Sequence, residues 1–225
     1  MSGKLIVIEG LDGSGKSTQL DILYEKLSQL GMDVRKIKLP NYDDRSSELV
    51  KMYLDGRFGK EPQDVNVYAA SSFFAVDRYV SYNCYWKEDY LCGKLILADR
   101  YTTSNAYHQI IKLPREGWDG YLQWLEDYEY NKIGIPKPDI VIYLDVPVAI
   151  SQKLMTARYS GDEVKKDIHE KNLEYLDQCT QAATYVCEAL QWKSVLCVDS
   201  EKLLSIDEIA VKVYQIVLKE LKINA

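Results

Sequence analysis

The sequence lacks any apolar stretch approaching the about 20 residues that a membrane-spanning helix requires. The apolar run Leu5–Ile8 near the N-terminus passes directly into a glycine-rich segment. It is therefore not followed by the small-residue cleavage site of a secretory signal peptide. These two absences predict a soluble protein that resides in the cytoplasm.

Cysteine and histidine are scarce, and positive charge is in deficit. The five cysteines form no CxxC pair and do not cluster with either histidine, which argues against a disulfide framework or a zinc site. The 28 Lys and Arg residues against 34 Asp and Glu residues give a formal net charge of -6. That balance argues against general nucleic-acid binding but allows a small basic pocket for an anionic substrate.

The chain also lacks internal repeats, low-complexity tracts and Gly/Ser-rich linkers, so its 225 residues predict one domain over residues 1–225. Short β-branched runs alternate with longer amphipathic segments. This alternation predicts an α/β fold with a doubly wound, five-stranded parallel sheet flanked by helices. The predicted strands are Lys4–Glu9, Asp33–Leu39, Lys94–Asp99, Asp139–Asp145 and Ser194–Asp199. The predicted helices are Gly15–Leu30, Ser47–Leu54, Asp64–Leu91, Trp118–Asn131, Val148–Arg158, Lys165–Leu190 and Ile206–Leu221.

A glycine-rich loop follows the first predicted strand and reads GLDGSGKST. It fits the P-loop pattern G-x-x-x-x-G-K-[ST], whose glycines let backbone N–H groups turn inward around phosphate oxygens. In this pattern Lys16 neutralises the β- and γ-phosphates, and Ser17 ligates Mg²⁺. The sequence therefore predicts a P-loop NTPase fold with an ATP site formed by Gly10, Leu11, Asp12, Gly13, Ser14, Gly15, Lys16, Ser17 and Thr18.

The third predicted strand ends in Asp99-Arg100-Tyr101, which favours phosphate transfer over hydrolysis or switching. Asp99 can hold the Mg²⁺ water shell, and Arg100 can bridge the donor and acceptor phosphates. An ATPase would more often end this strand in Asp-Glu, and a GTPase would carry N-K-x-D, for which the nearest match is NKIG at Asn131–Gly134. The alternative for Asp99 and Arg100 is a surface salt bridge at the strand end.

Further segments along nearly the whole chain strengthen the prediction of phosphate transfer. They read VIEGLDGSGKSTQ, LPNY, SSFFAVDRY, DRYTTSNAYH and KPDIVIYLDVP, the last followed by a charged segment. With these motifs in this order, the chain resembles thymidylate kinases, P-loop enzymes that phosphorylate dTMP with ATP. The resemblance implies ATP and dTMP as substrates, Mg²⁺ as cofactor, ADP and dTDP as products for dTTP synthesis, and a homodimer.

The resemblance assigns the acceptor base to three residues. Phe74 would stack on thymine, and Arg78, four residues further along the same helix face, would contact thymine O4. Asn105 would pair with the polar edge of the base, because its amide both donates and accepts hydrogen bonds. From the residues alone, a core position for Phe74 and a solvated helix charge for Arg78 are favoured instead.

The resemblance also assigns the rest of the acceptor. Asp12 matches a carboxylate that contacts the sugar 3′-hydroxyl, whereas its position alone also fits an exposed turn aspartate. Pro40 and Tyr42 match the loop that holds the acceptor phosphate, and Ser104 matches a substrate-site serine. Arg45 joins this group because of its charge alone.

A lid is predicted at about residues 156–170. Some family members carry an arginine in the phosphate loop where this chain has Gly13, whereas a second, mostly bacterial subclass supplies basic side chains from the lid. The chain resembles the second kind, with Arg158 as the leading catalytic candidate and Lys165 or Lys166 as weaker ones. For the two lysines alone, a solvated helix face is the favoured interpretation.

The predicted chemistry is phosphate transfer to an acceptor that is itself a phosphate. The acceptor phosphate is already an anionic nucleophile, so catalysis by Lys16, Asp12, Arg100 and Arg158 would rest on positioning and charge neutralisation without a general base. Two alternatives remain: a related kinase acting on another deoxynucleotide or a deoxynucleoside, and a non-catalytic nucleotide-binding protein.

The tyrosine-rich segment Arg78–Leu91 is assigned to the dimer interface, with core packing as the alternative.

Overall fold

The computed structural model describes residues 2–158, 167–170, 172–200 and 202–223. Its centre is a sheet of five parallel strands in the order β2-β3-β1-β4-β5, which confirms the predicted doubly wound sheet. The first four predicted strands agree with the structure to within one residue at each end. The strands are β1 (Leu5–Glu9), β2 (Val34–Lys38), β3 (Leu95–Asp99), β4 (Ile140–Asp145) and β5 (Lys193–Leu196).

Strand β1 lies at the centre of the sheet, between β3 and β4. All residues of β1 and β3 are buried, because helices cover both faces of the sheet, and this explains their continuous apolar sequences. Ile8 lies opposite Asp99 in the register of the two strands. The loops that follow β1 and β3 therefore start side by side at the carboxyl edge of the sheet.

Helices pack on both faces of the sheet. On one face α1 and α9 share a core, in which Leu23 and Leu27 lie in the same buried cluster as Val213 and Val217. Among the described helices, none combines the length and the apolar character that crossing a bilayer requires. The helices are α1 (Lys16–Gln29), α2 (Glu48–Leu54), α3 (Val67–Ser81), α4 (Lys87–Leu91), α5 (Thr103–His108), α6 (Trp118–Glu126), α7 (Val148–Arg158), α8 (Leu173–Ala189) and α9 (Ile206–Leu221).

Two predicted helices contain π-helical turns. A π-helical turn at Tyr82–Trp86 separates α3 from α4, and a second at Asp127–Ile133 continues α6. The residue period changes in such a turn, so side chains that follow it face a different direction from the one that an α-helical period predicts. This matters for the site, because the second turn delivers Glu129 to the interior.

The predicted fifth strand, Ser194–Asp199, is wrong in its extent. Strand β5 ends at Leu196, and the next residues form a separate antiparallel pair, β6 (Val198–Asp199) with β7 (Lys202–Leu203). The chain reverses between them at Ser200, which has a positive φ of 46°. A continuous β-branched sequence does not reveal such a change of partner.

Two helix predictions also differ from the structure. The helix predicted from Lys165 begins at Leu173, because the side chain of Asn172 caps it by accepting the N–H of Tyr175 at 2.9 Å. Helix α5 is absent from the prediction, since its six residues are too few to show a helical period. All but one of them are buried although most are polar, so they lack the alternation of apolar buried and polar exposed positions that marks an amphipathic helix.

Candidate active site

The loops at the carboxyl edge of the sheet enclose a cavity of about 1100 Å3, where a doubly wound sheet binds its ligands. Four segments far apart in the sequence meet there: the phosphate loop, the loop after β2, α3, and the residues after β3. The predicted site residues that line this cavity are Asp12, Gly13, Ser14, Gly15, Lys16, Ser17, Thr18, Pro40, Tyr42, Phe74, Arg78, Asp99, Arg100, Ser104 and Asn105.

Three predicted residues lie elsewhere. Gly10 is buried behind the loop, and the Leu11 side chain, 1% exposed, packs into the core, so only backbone atoms of these two residues could approach a ligand. Arg45 begins a short 3-10 turn and is exposed outside the cavity. Its positive charge therefore does not belong to this site.

Lys16 opens helix α1 and points back into the phosphate loop. Its Nζ donates to the carbonyl of Leu11 at 2.8 Å and lies 3.9 Å from Oδ1 of Asp12. Burial, with a further contribution from the Arg100 charge, lowers the pKa of Lys16 to about 8. A partly desolvated ammonium at a helix N-terminus is suited to bind phosphate oxygens as a hydrogen-bond donor.

Gly13 explains why this loop carries no arginine. The residue has a φ of 83°, and a Cβ atom built on it would lie 2.2 Å from the carbonyl oxygen of Ser151 in α7. Any side chain at this position would have to displace the α7 backbone. The packing of α7 against the loop thus requires glycine and excludes an arginine at this position.

Ser17 and Asp99 meet at the edge of the loop. The Oγ of Ser17 donates to Oδ2 of Asp99 at 2.5 Å, and both residues line the cavity. Hydroxyl and carboxylate oxygens are ligands that Mg²⁺ prefers, and Mg²⁺ usually takes its remaining ligands from water and phosphate. The pair therefore fits the predicted metal position.

Arg100 lies at the centre of a polar network inside the cavity. Its guanidinium donates to Asp12 Oδ1 at 2.8 Å, Tyr107 OH at 3.0 Å and Ser104 Oγ at 3.2 Å. The backbone of Arg100 has a φ of 69°, a conformation that costs a non-glycine residue about 1–2 kcal/mol. Arg100 pairs with Asp12 inside the cavity, whereas Asp99 is 4% exposed and bonds Ser17. The surface salt bridge considered for Asp99 and Arg100 is therefore wrong.

Burial and the neighbouring charges shift the pKa of Asp12 in opposite directions. Burial alone would raise the pKa of Asp12, but the positive charges of Arg100 and Lys16 outweigh it and hold that pKa well below its usual range. Asp12 is therefore an anion between two cations. This arrangement keeps both cations in place before phosphates arrive.

Glu9 is a site residue that the sequence did not reveal. It ends β1, is 0% exposed, and accepts hydrogen bonds from Thr103 Oγ1 at 2.6 Å, Ser104 Oγ at 2.8 Å and Tyr107 OH at 2.9 Å. These bonds fasten the first turns of α5 to the end of β1. The only sequence signal was a charged residue closing an apolar strand directly before the glycine loop.

The predicted base pocket is assembled from α3 and α5. Phe74 lines the cavity and its ring also packs edge-on against Tyr53, with 6.2 Å between the centroids, so it serves the core and the cavity together. Arg78 is 3% exposed and forms an ion pair with Glu129. The solvated-charge alternative for Arg78 is therefore wrong. Asn105, 2% exposed, lies beside the same carboxylate.

Comparison with known proteins places this geometry in a family. A family model described as thymidylate kinase matches residues 8–209, which include every lining residue discussed above. The chain belongs to the thymidylate kinase family. Members of this family are phosphotransferases, and the P-loop fold and the recognition from motifs are thereby confirmed.

Individual relatives agree with the family model. A protein named "Probable thymidylate kinase" from Thermococcus onnurineus (strain NA1) is 34% identical over 72% of this chain and 75% of its own length. The thymidylate kinase of Mycobacterium tuberculosis (strain CDC 1551 / Oshkosh) is 28% identical over 84% and 87%. The solved structure of thymidylate kinase from Candida albicans is 23% identical, covers 100% of this chain and 96% of its own, and has a TM-score of 0.67, which supports the fold.

The loop after β2 of this thymidylate kinase family member is held by Asp77, another residue that the sequence analysis missed. Asp77 lines the cavity, is 1% exposed, and accepts the N–H of Asn41 at 3.1 Å and the hydroxyl of Ser46 at 2.8 Å. These bonds place Pro40 and Tyr42 at the cavity wall. The Asp77 carboxylate therefore holds the loop through one backbone and one side-chain donor.

The predicted lid is only partly described. Lys165 and Lys166 lie outside the described residues, as does the side chain of Arg158, whose backbone ends α7. The last part of the segment reaches the cavity through Asp167 and His169. Asp167 Oδ1 accepts the N–H groups of His169 at 2.8 Å and Glu170 at 2.9 Å.

Both histidines of the chain are buried near this wall. The rings of His108 and His169 stack with 5.8 Å between centroids, and Nε2 of His169 shares a hydrogen bond of 2.8 Å with Tyr53 OH. Burial, assisted by the Lys112 charge, lowers the pKa of His169 to about 3. Burial and the Arg100 charge hold the pKa of His108 well below its ordinary value. Both rings are therefore neutral in the folded protein.

We expect His169 to make the folded protein sensitive to acid. Its folded pKa of about 3 is below the ordinary unfolded value of about 6.5, so its contribution to stability is complete above that unfolded value and is lost as pH falls below it. Between pH 7 and pH 5 this amounts to about 2 kcal/mol. Denaturant unfolding of the wild type should show this loss relative to His169→Gln, which keeps a neutral hydrogen-bonding side chain.

The comparison with the variant matters because Asp167 acts in the opposite direction. Burial and the Glu170 charge raise the pKa of Asp167 to about 7, so protonating Asp167 stabilises the folded state as pH falls. That contribution is common to the wild type and His169→Gln and cancels in the difference. Equal pH dependence in the two proteins would contradict the assignment of a neutral, buried His169.

Proposed function

We propose that the chain transfers the γ-phosphate of ATP to dTMP, giving ADP and dTDP. The observation that carries the proposal is the joining of two different sites in one cavity. A phosphate loop with Lys16 forms one end, and the buried Arg78 and Asn105 form the other, with Arg100 between them. A protein that only bound or hydrolysed ATP would have no use for the second site.

The residues support in-line transfer between two bound nucleotides. Lys16 would bind phosphate oxygens of ATP, and Arg100 would neutralise charge that gathers between donor and acceptor phosphates. The bond from the γ-phosphorus to the β–γ bridging oxygen breaks while an oxygen of the acceptor phosphate bonds to that phosphorus. Asp12 holds Arg100 in position at 2.8 Å and would receive the acceptor sugar hydroxyl.

Mg²⁺ belongs to this proposal through Ser17 and Asp99. Their paired oxygens would hold the ion directly or through its water shell, and bound Mg²⁺ would offset negative charge on the ATP phosphates. No group of three or more His, Cys, Asp or Glu side chains in the described part of the chain forms a metal site without ATP. The ion would thus arrive and leave with the nucleotide.

The nucleoside-kinase alternative lacks a general base in the loop after β2. Activating a neutral 5′-hydroxyl takes a general base within hydrogen-bond reach. The residues of this loop that line the cavity are Leu39, Pro40 and Tyr42, none of which is an acid. Asp44, an acid of this loop outside the cavity lining, accepts from Ser46 N–H at 2.8 Å and from the Tyr85 hydroxyl. This geometry favours an acceptor that is already a phosphate.

The test is ADP formation from ATP·Mg²⁺ with dTMP, dUMP, dCMP, dGMP, CMP, AMP or thymidine as acceptor, against a reaction without acceptor. We expect dTMP to lead, dUMP to trail and thymidine to be inert. A lead by thymidine or another nucleotide would overturn the acceptor assignment. ATP binding without transfer to any acceptor would instead establish the non-catalytic alternative.

The one-domain organisation and the dimer are also part of the proposal. The packing of α1 on α9 joins the two ends of the chain, which supports a single folding unit. Of the predicted interface segment, Tyr82 and Trp86 are buried in the core, so the core alternative holds for them. Tyr79 remains 48% exposed and continues an apolar face of α3.

A second copy of the chain is the occupant we propose for that face. Tyr68, Val76 and Tyr79 are 41%, 43% and 48% exposed and fall on one side of α3. Light scattering at micromolar concentration should give twice the chain mass of 25.9 kDa, and Val76→Asp should halve it by placing a charge in the interface. Val211→Asp, at an exposed apolar residue of α9, is the matched control. A monomeric wild type would refute the dimer.

A further inference from the structure

Glu129 is a buried carboxylate to which neither the motifs nor the mechanism assigns a task. It lies in the π-helical turn that continues α6 and is 0% exposed. Its Oε2 accepts Arg78 Nε at 3.1 Å, and its Oε1 accepts Arg78 Nη2 and lies 3.5 Å from Asn105 Nδ2. One carboxylate therefore contacts both side chains of the proposed base site.

The surroundings of Asn105 determine which end of its amide faces the cavity. Its Nδ2 donates to the carbonyl of Ser71 at 3.2 Å and to Glu129 at 3.5 Å. A carbonyl and an ionised carboxylate only accept hydrogen bonds, so the amide nitrogen must face them. The amide oxygen is then left for a ligand, and Asn105 presents an acceptor.

Arg78 is oriented by the same carboxylate. Two of its five N–H donors go to Glu129, and Nη1 donates to the carbonyl of Tyr101 at 3.4 Å. The guanidinium plane is thereby set, with its remaining donors available to a ligand that enters the cavity. The pocket thus offers a donor from Arg78 beside an acceptor from Asn105.

We infer that Glu129 is a positioning residue that sets this donor and acceptor pattern and thereby selects the acceptor base. The inference rests on the proposed function. Thymine and uracil present a donor at N3 and an acceptor at C4, which complement the pattern. Cytosine presents an acceptor at N3 and an amino donor at C4, which oppose it at both positions. Unpaired polar groups in a buried site give strong discrimination.

The pattern depends on Glu129 being ionised. Burial raises the pKa of Glu129, and the Arg78 charge and its hydrogen bonds oppose that shift. A protonated Glu129 could donate to the amide oxygen and so favour the reversed orientation of the Asn105 side-chain amide. Arg78 therefore has two functions, since it contacts the base and keeps its positioning carboxylate charged.

The test compares kcat/KM for dTMP, dUMP and dCMP in the wild type and in Glu129→Gln. A glutamine of the same shape can donate or accept, so only the Ser71 carbonyl still requires the amide nitrogen of Asn105. A reversed Asn105, which gives up that bond, would tolerate cytosine. We expect the dTMP-to-dCMP ratio of kcat/KM to fall by at least ~10-fold. The dTMP-to-dUMP ratio should stay within about twofold, because the two bases share the edge that is read. An unchanged dTMP-to-dCMP ratio would overturn the inference.

Tyr121→Phe is the matched control. Tyr121 OH donates to the backbone carbonyl of Asn105 at 3.2 Å and bonds Ser71 Oγ at 2.8 Å, so its removal disturbs the same wall without changing the Asn105 amide. Both ratios should hold even if every rate falls. A fall of the dTMP-to-dCMP ratio equal to that in Glu129→Gln would show a merely structural role for Glu129.

Glu129→Gln leaves the Arg78 charge buried without a partner, which could prevent folding. In that case Glu129→Asp keeps the charge that pairs with Arg78 but, one methylene shorter, withdraws the carboxylate from Asn105 Nδ2. A fall of the dTMP-to-dCMP ratio by at least ~10-fold relative to the wild type supports the inference, and an unchanged ratio overturns it. The wild type is measured before the variants. A wild type that prefers dCMP would refute the proposed function together with the inference.

Discussion

Replacing Lys16 with alanine should lower kcat with dTMP by at least ~10²-fold, the scale of losing one preorganised charge-stabilising group. The side chain is 7% exposed and its ammonium lies within the loop, 2.8 Å from the Leu11 carbonyl. No other lysine of the described chain lies in this loop, so none can replace the lost charge. Steady-state ADP formation at saturating dTMP measures the effect.

The control for Lys16→Ala is Lys26→Ala in the same helix. Lys26 lies in the last turn of α1, with its ammonium 5.2 Å from the centre of the Tyr214 ring, and it is remote from the loop. The substitution removes one lysine charge from α1, as Lys16→Ala does, and should change kcat by less than about twofold. A folded Lys16→Ala protein with near-normal turnover would refute the mechanism.

Replacing Arg100 with methionine should lower kcat/KM for dTMP by about 10²–10³-fold. The change removes the cation proposed to lie between the phosphates. It also leaves Asp12 and Glu9 without their shared partner, at 2.8 Å and 3.8 Å respectively. Asp12 would keep Lys16 as a cation at 3.9 Å but lose its closer partner. The excess negative charge of Asp12 and Glu9 would weaken the binding of the incoming phosphates, so the loss should exceed that for a residue that acts alone.

Two further substitutions separate charge from geometry at this position. Arg100→Lys keeps the charge but cannot reach Asp12, Ser104 and Tyr107 together, so it should recover only part of the activity. Arg115→Met removes an arginine that stacks on Tyr185 at 3.7 Å, away from the cavity, and should leave kcat/KM nearly unchanged. Equal activity of Arg100→Met and the wild type would exclude Arg100 from the reaction.

Features formed by neighbouring residues could be predicted from the sequence. The phosphate loop is nine consecutive residues, Gly10–Thr18, whose function depends on local backbone angles and the helix that follows. Strands β1 to β4 were predicted to within one residue, because burial on both faces gives each one a continuous apolar run. The fifth strand failed where the chain changes partner after Leu196, which no local pattern records.

Pairings between distant charged residues could not be predicted in the same way. Glu129 and Arg78 are 51 positions apart, and Glu9 and Ser104 are 95 apart. A lone charged residue in a sequence is most often solvated, so the residues alone favoured a solvated Arg78 and gave no role to Glu9 or Glu129. Burial of such groups becomes favourable only when the partner arrives with the right geometry.

The sequence by itself determined the loop chemistry, the order of strands and helices and the family, because each depends on residue types in fixed local order. Only the tertiary structure decided that Glu9 fastens α5, that Asp77 holds the loop after β2, and that Glu129 faces Arg78 and Asn105. The physical reason is that hydropathy patterns report which faces are buried. They do not report which buried polar groups satisfy one another.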